Sequence, residues 1–165
     1  MLLLEIALMG GFFAVLAFIH FFVDWIFQSH AEAMVKHNNP KVRAKHCLIY
    51  TLGFVPLFCL CNFSWIEWLF ALNLLFWSHF YLDTYHGVYL WAKYIRKPPE
   101  MTELRKQVTF DGYVHHTSLL PPDSKAGFVD FIQTPLGKIL MISIDQISHL
   151  SCLWPIVYMI MSHIK

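Results

Sequence analysis

Residues Leu3 to Gln28 read LLEIALMGGFFAVLAFIHFFVDWIFQ, a run with no lysine or arginine in which, beyond Glu5 near its start, His20 and Asp24 interrupt an otherwise apolar helix. About 20 mostly apolar residues suffice to cross the hydrocarbon of a bilayer, so the run is long enough to span it. The same two residue types return four apart at His79 and Asp83, and again, in reverse order, at Asp145 and His149. A spacing of four puts both side chains of a pair on one helix face, one turn apart. If the spans carrying the first two pairs run one way through a membrane and the last runs the other way, the reversal restores a common layering. The aspartates then share one depth and the histidines another, one turn or about 5.4 Å deeper. Ionisable groups are costly in such a setting and mark function.

Composition extends this reading to the whole chain. Hydrophobic residues make up 57% of it and charged residues 14%, with 15 Phe among 165 residues. Four apolar runs stand out: Leu3 to Gln28, His46 to Phe63, Trp65 to Tyr89 with a wetter extension to Arg96, and Gly137 to His163. The expected fold is all-α, a polytopic transmembrane bundle of four helices forming a single helical membrane domain over 1–165, with spans near 3–28, 46–63, 65–89 and 137–163. Residues 97–136 form a long cytoplasmic or interfacial loop before the last helix.

The formal net charge is +1, so no bulk basic signal points to nucleic acid. The placement of charge says more. Lys36, Lys41, Arg43 and Lys45 fall between the first two runs; Lys93, Arg96, Lys97, Arg105, Lys106, Lys125 and Lys138 fall between or at the ends of the last two. By the positive-inside rule both loops face the cytoplasm and both termini lie outside it, in a bacterial inner membrane. The first run has no basic leader and no evident cleavage site, which reads as a retained helix.

Helix punctuation refines the layout. Pro56 and Pro155 should kink the second and fourth runs. Asn38-Asn39-Pro40 reads as a helix break, and Asn62 to Ser64 as a tight turn. In the long loop, Met101, Leu104 and Val108 keep helical spacing, and Phe128, Val129, Phe131 and Ile132 form an apolar cluster after Ser124, a candidate N-cap. Cys47, Cys59, Cys61 and Cys152 form no C-x-x-C and read as buried thiols, with Cys152 one turn beyond His149.

The three pairs and His46, which opens the second run beside the aspartate layer, make one candidate ligand set: His20, Asp24, His46, His79, Asp83, Asp145 and His149. Interhelical His–Asp hydrogen bonds alone would contribute only about 0.6 kcal/mol each. A mixed imidazole and carboxylate set without a clear thiolate points to a divalent metal, Zn, Mn or Fe, and seven donors leave room for two ions. Asp24, nearest the cytoplasmic mouth, is the candidate catalytic base. His86 is a further candidate on the His79 face, and Gln28 and Gln146 are candidates to orient a carboxylate.

The segments His20-Phe-Phe-Val-Asp24 with Gln28, Arg43-Ala-Lys-His46-Cys-Leu-Ile-Tyr50-Thr, His79-Phe-Tyr-Leu-Asp83 and Asp145-Gln-Ile-Ser-His149 resemble the small phage and bacterial integral membrane proteins of domain-of-unknown-function family 3307. The resemblance implies a polytopic helical membrane protein and no established reaction. A looser likeness connects the pattern to small membrane-bound proteins described as metal-dependent hydrolases.

Two functional classes follow. One is a metal-dependent hydrolase of a lipid-linked or phosphorylated substrate, the ion activating water and the basic loops attracting an anionic head group. The other is a non-enzymatic membrane factor, binding an envelope or other membrane protein or interfering between phage and host, with a structural His/Asp cluster; a proton or ion pathway is a variant of it. The lipid bilayer is the common partner. Serine-hydrolase, P-loop and H-E-x-x-H signatures are absent from the sequence.

Overall fold

The computed structural model describes residues 2–102, 105–106, 119–120 and 124–164. Apart from a two-residue antiparallel pair, Arg105–Lys106 with Leu119–Leu120, its elements are helical. In chain order they are α1 (Leu2–Ile26), α2 (His30–Val35), α3 (Pro40–Gly53), α4 (Val55–Leu60), α5 (Trp65–Leu82), α6 (His86–Trp91), α7 (Pro99–Thr102), α8 (Ser124–Gln133), α9 (Pro135–Ser151) and α10 (Trp154–Ser162), with a π-helical turn Ala92–Arg96 after α6.

Local chemistry accounts for most boundaries. Ser29 starts α2 with a capping box: its hydroxyl accepts the Glu32 N–H, and the Glu32 carboxylate accepts the Ser29 N–H. The expected break at Asn38-Asn39-Pro40 is a helix start. The Asn39 side chain accepts the N–H groups of Lys41 and Val42, and Pro40 occupies the first turn, where its missing N–H costs nothing. Pro56 cannot continue α3, so the helix ends at Gly53 and resumes as α4. Asn62, at φ 53°, turns the chain in the left-handed region that Asn tolerates better than most residues. Ser64 and Glu67 then repeat the capping box at the head of α5.

The contacts divide the chain into two compact units, residues 1–85 with 145–165, and residues 86–144. In the first, Leu16, Val23, Phe54, Phe58, Leu75, Leu153, Ile156 and Val157 are buried. Gly53 permits the close approach of α3 to α1, since a Cβ there would strike the Val23 side chain. In the second unit Ala92, Met101 and Phe131 are buried, with Tyr89, Phe128, Ile132 and Leu140 packed on them. Gly127 brings α8 onto the backbone of Glu100 and Met101. Val129, expected in this cluster, is exposed; Leu104, Val108 and the pair His115-His116 lie outside the described residues.

Beside its apolar core the first unit buries a polar cluster, and it exposes large apolar side chains. His20, Asp24, Lys36, His46, His79, Asp83 and His149 are buried, whereas Leu3, Phe18, Trp25, Trp65, Phe70, Trp77 and Tyr158 are exposed. Two helical runs among the described residues are long and apolar enough to cross a membrane, Leu2–Ile26 with 25 residues and Pro135–Ser162 with 28. The second expected span is instead divided into helices of 14 and 6 residues by Pro56. The third ends after 18 residues at Leu82, because Asp83 to Tyr85 form a turn in which Tyr85 takes φ 56°.

Candidate metal centre

Four stretches of the first unit deliver the site. His20 and Asp24 come from the last turns of α1, His46 and Tyr50 from α3, His79 and Asp83 from the end of α5, and Asp145, Gln146 and His149 from α9. The i,i+4 spacing does what helix geometry demands: each pair faces inward as one unit.

At the centre lie four donor atoms. His46 Nε2 is 2.9 Å from His79 Nε2 and 2.9 Å from Asp24 Oδ1, and 3.6 Å from Asp83 Oδ2. His79 Nε2 is 3.3 Å from Asp24 Oδ1 and 3.5 Å from Asp83 Oδ2. Zinc bonded to nitrogen and oxygen at about 2.0 to 2.2 Å in a tetrahedron sets its donors about 3.3 to 3.6 Å apart. Three of the distances, 3.3, 3.5 and 3.6 Å, match these edges, while the two at 2.9 Å are of hydrogen-bond length.

Unsatisfied polar atoms lie in and around the cage, one of them, Asp83 Oδ2, being a cage donor. Buried side-chain polar atoms are nearly always partnered. Here Asp83 Oδ2, Asp145 Oδ1, His149 Nε2 and His79 Nδ1 are buried without a hydrogen-bond partner. His79, Asp83 and His149 also form a second group with donor atoms within 4.8 Å of one another, as do Asp24, His46 and His79.

Three of the histidines cluster beside the cage. Ring centroids of His79 and His149 lie 4.4 Å apart, His20 and His149 5.5 Å, and His20 and His79 6.1 Å. His20 is committed elsewhere: Nδ1 meets Tyr50 Oη and Nε2 meets Gln146 Oε1, each at 3.0 Å. An amide oxygen only accepts, which places the His20 proton on Nε2 and leaves Nδ1 to accept the tyrosine O–H. Gln146 passes the order on, donating to Asp145 Oδ2 at 3.2 Å. His149 Nδ1 donates to the Asp145 backbone carbonyl at 2.9 Å, which turns its Nε2 toward Asp83 Oδ1 at 3.9 Å.

Sequence reasoning missed Lys36 and Arg43, which it counted as loop charges. Lys36 Nζ lies 2.9 Å from Asp83 Oδ1, 3.2 Å from His46 Nε2 and 3.7 Å from Asp24 Oδ1, with its side chain 8% exposed. Arg43 holds it there, donating through Nη1 to the backbone carbonyls of Lys36 and His37 while its guanidinium rests 4.4 Å above the Phe80 ring. The Asn-Asn-Pro start of α3 was the available signal that the preceding loop turns back toward the bundle. Tyr50, quoted only as part of a motif, stacks on His79 with centroids 3.8 Å apart. His86 opens α6 in the other unit, Gln28 Nε2 is buried without a partner, and no cysteine joins the candidate ligand groups among the described residues.

A profile of the family described as "Protein of unknown function (DUF3307)" matches residues 12–120, two thirds of the chain. The chain belongs to the DUF3307 family. The matched region holds His20, Asp24, Lys36, His46, Tyr50, His79 and Asp83, and ends before Asp145 and His149. No curated protein and no solved structure matches this DUF3307 chain.

Proposed function

We propose that this DUF3307 protein is an integral membrane metalloprotein whose centre, held by Asp24, His46, His79 and Asp83, binds one zinc ion and hydrolyses an anionic, phosphoryl-bearing substrate. The cage of two imidazole nitrogens and two carboxylate oxygens carries the reading. Zinc accepts tetrahedral mixed ligands, whereas manganese favours six oxygens, so zinc stands first and Fe(II) second. When bound, such an ion lowers the pKa of a water and polarises a phosphoryl oxygen.

The chain's own groups divide the remaining work. Asp24, the base expected from sequence, has its Oδ1 inside the cage and is assigned there as a ligand. His149 becomes the base: its Nε2 is unpartnered, faces Asp83 and is oriented through Nδ1. Tyr50, His20, Gln146 and Asp145 form a hydrogen-bonded string that fixes tautomers around it.

The membrane setting rests on the large apolar side chains exposed around a buried polar cluster and on the two long apolar runs. An exposed apolar surface of this extent is unusual for a soluble monomer and natural in lipid. The four-span layout, with both termini outside the cytoplasm of a bacterial inner membrane, follows the loop charges.

One observation favours a second reading. Four protein donors make a closed set, which is typical of structural zinc sites; a non-enzymatic membrane factor would then use the ion to fix its helices. Metal analysis of detergent-purified protein, with turnover of a chromogenic phosphate ester measured alongside, tests both. About one zinc per chain with turnover abolished by His149→Gln supports the hydrolase. One zinc without turnover leaves the structural centre, and absence of metal from zinc-supplemented preparations overturns both.

A further inference from the structure

The site contains a second cation that the protein itself supplies. Resting on the metal-centre reading, we propose that the Lys36 ammonium occupies the place of a second metal ion, so that the centre is a metal–ammonium pair that grips a phosphate group between them.

The donor atoms invite two ions. Asp24, His46 and His79 form one group, and His79, Asp83 and His149 another, sharing His79. Asp83 joins the two positions through its separate oxygens. Oδ2 meets His46 and His79 in the cage at 3.6 and 3.5 Å, while Oδ1 points toward His149 Nε2 at 3.9 Å. A carboxylate divided in this way is how paired ions are bridged in two-metal hydrolases, which clamp one substrate oxygen with each charge. Here Oδ1 already carries Lys36 Nζ at 2.9 Å.

Lys36 is not an incidental surface residue that folded inward. A buried ammonium is costly unless paired, and this one is met by Asp83, Asp24 and the His46 ring. Its backbone is fixed as well. The carbonyls of Lys36 and His37 accept from Arg43, and the α2 start that precedes them is tied by Lys45 to Glu32 at 2.6 Å. Two independent anchors hold the loop that inserts the lysine.

The consequence is a substrate class. An ammonium beside a divalent ion attracts a group with at least two anionic oxygens, and an ammonium is a compact point charge well suited to phosphate. Free phosphate esters and the phosphate of a lipid head group share this chemistry.

The test uses full-length protein in detergent and in nanodiscs. Zinc per chain is measured by elemental analysis for the wild type, Lys36→Met and Lys36→Arg. Binding of inorganic phosphate is measured by calorimetry on the detergent samples, and the phosphorus NMR of phosphatidic acid, diluted in phosphatidylcholine nanodiscs, is compared with and without protein. One zinc in wild type, with phosphate or phosphatidic acid bound at least 10-fold more weakly by Lys36→Met while zinc is retained and Lys36→Arg is intermediate, supports the proposal. Which probe binds identifies the source of the phosphate. Two zinc ions in wild type, or unchanged binding of both probes by zinc-loaded Lys36→Met, overturns the ammonium's role and leaves the metal centre standing. Zinc-loaded wild type that binds neither probe overturns it equally. Absence of zinc from every sample, with the proteins folded by circular dichroism, overturns the metal centre and this inference with it.

Discussion

The ring of Tyr50 lies nearly parallel to that of His79, with centroids 3.8 Å apart and planes inclined by 18°, while the Tyr50 hydroxyl reaches across to His20. One side chain from α3 thus stacks on a cage imidazole and donates to the His20 tautomer that Gln146 selects.

Tyr50→Phe keeps the stack and removes the hydroxyl, so zinc binding should fall by less than about 10-fold. Tyr50→Ala removes the stack and frees His79 to rotate, and supporting contacts of this kind are worth about 10- to 100-fold in metal affinity. Competition of each purified variant against a zinc chelator checks the order. Equal affinities for the two variants would show that the stack does not position His79.

Ligand and base should separate by substitution. His79→Ala removes a cage donor and Asp24→Asn removes a cage charge, and each should lower zinc affinity by at least about 10-fold. His149→Gln leaves the cage intact and should retain zinc while losing about 10²- to 10⁴-fold in hydrolysis, the usual reach of general base catalysis. Zinc content and phosphate-ester turnover measured on the same preparations decide it. If Asp24→Asn keeps zinc and loses only turnover, Asp24 is the base and His149 is not.

The loop that carries Lys36 has its own pH signature. The Lys45 ammonium, together with the Ser29 backbone and hydroxyl, holds the Glu32 carboxyl down to about 2. A carboxylate lowered from the ordinary range near 4.5 contributes stability that is complete above that range and is lost as pH falls toward 2. Amide exchange of residues 29–36, corrected for intrinsic rates, should therefore accelerate in relative terms across that window in wild type. In Glu32→Gln it should be fast at both ends and show no such step.

Orientation follows from the loop charges. Reporter fusions after Arg43 and after Lys97 should read as cytoplasmic, and a fusion at Lys165 should read as outside. A cytoplasmic reading at Lys165 would reverse the side from which substrate enters without disturbing the cage.

Much of the centre was legible because helical periodicity is strict. The reversed Asp145/His149 order, read with the two forward pairs, points six ionisable side chains at one place, and the rings of His20, His79 and His149 lie together there. What periodicity does not reveal is which donor faces which. His20 spends both nitrogens on Tyr50 and Gln146, a matter of side-chain geometry across helices 30 and 126 residues apart in sequence. Lys36 escaped because charge counting treats a lysine in a connection as solvated, whereas Arg43 and the Asn39 cap fold that connection back onto the bundle. The expected interruption at Pro56 is present as a division between α3 and α4, whereas the turn through Tyr85 carried no apolar-pattern signal, because a local break is set by backbone conformation and not by a run of apolar residues.

Zinc-edge X-ray absorption on the purified, zinc-loaded protein tests the cage most directly. Asp24, His46, His79 and Asp83 predict a first shell of four nitrogen or oxygen donors at about 2.0 to 2.1 Å, outer-shell scattering from two imidazoles and no sulfur. A shell containing sulfur at about 2.3 Å, a shell without imidazole, or no zinc bound would contradict it.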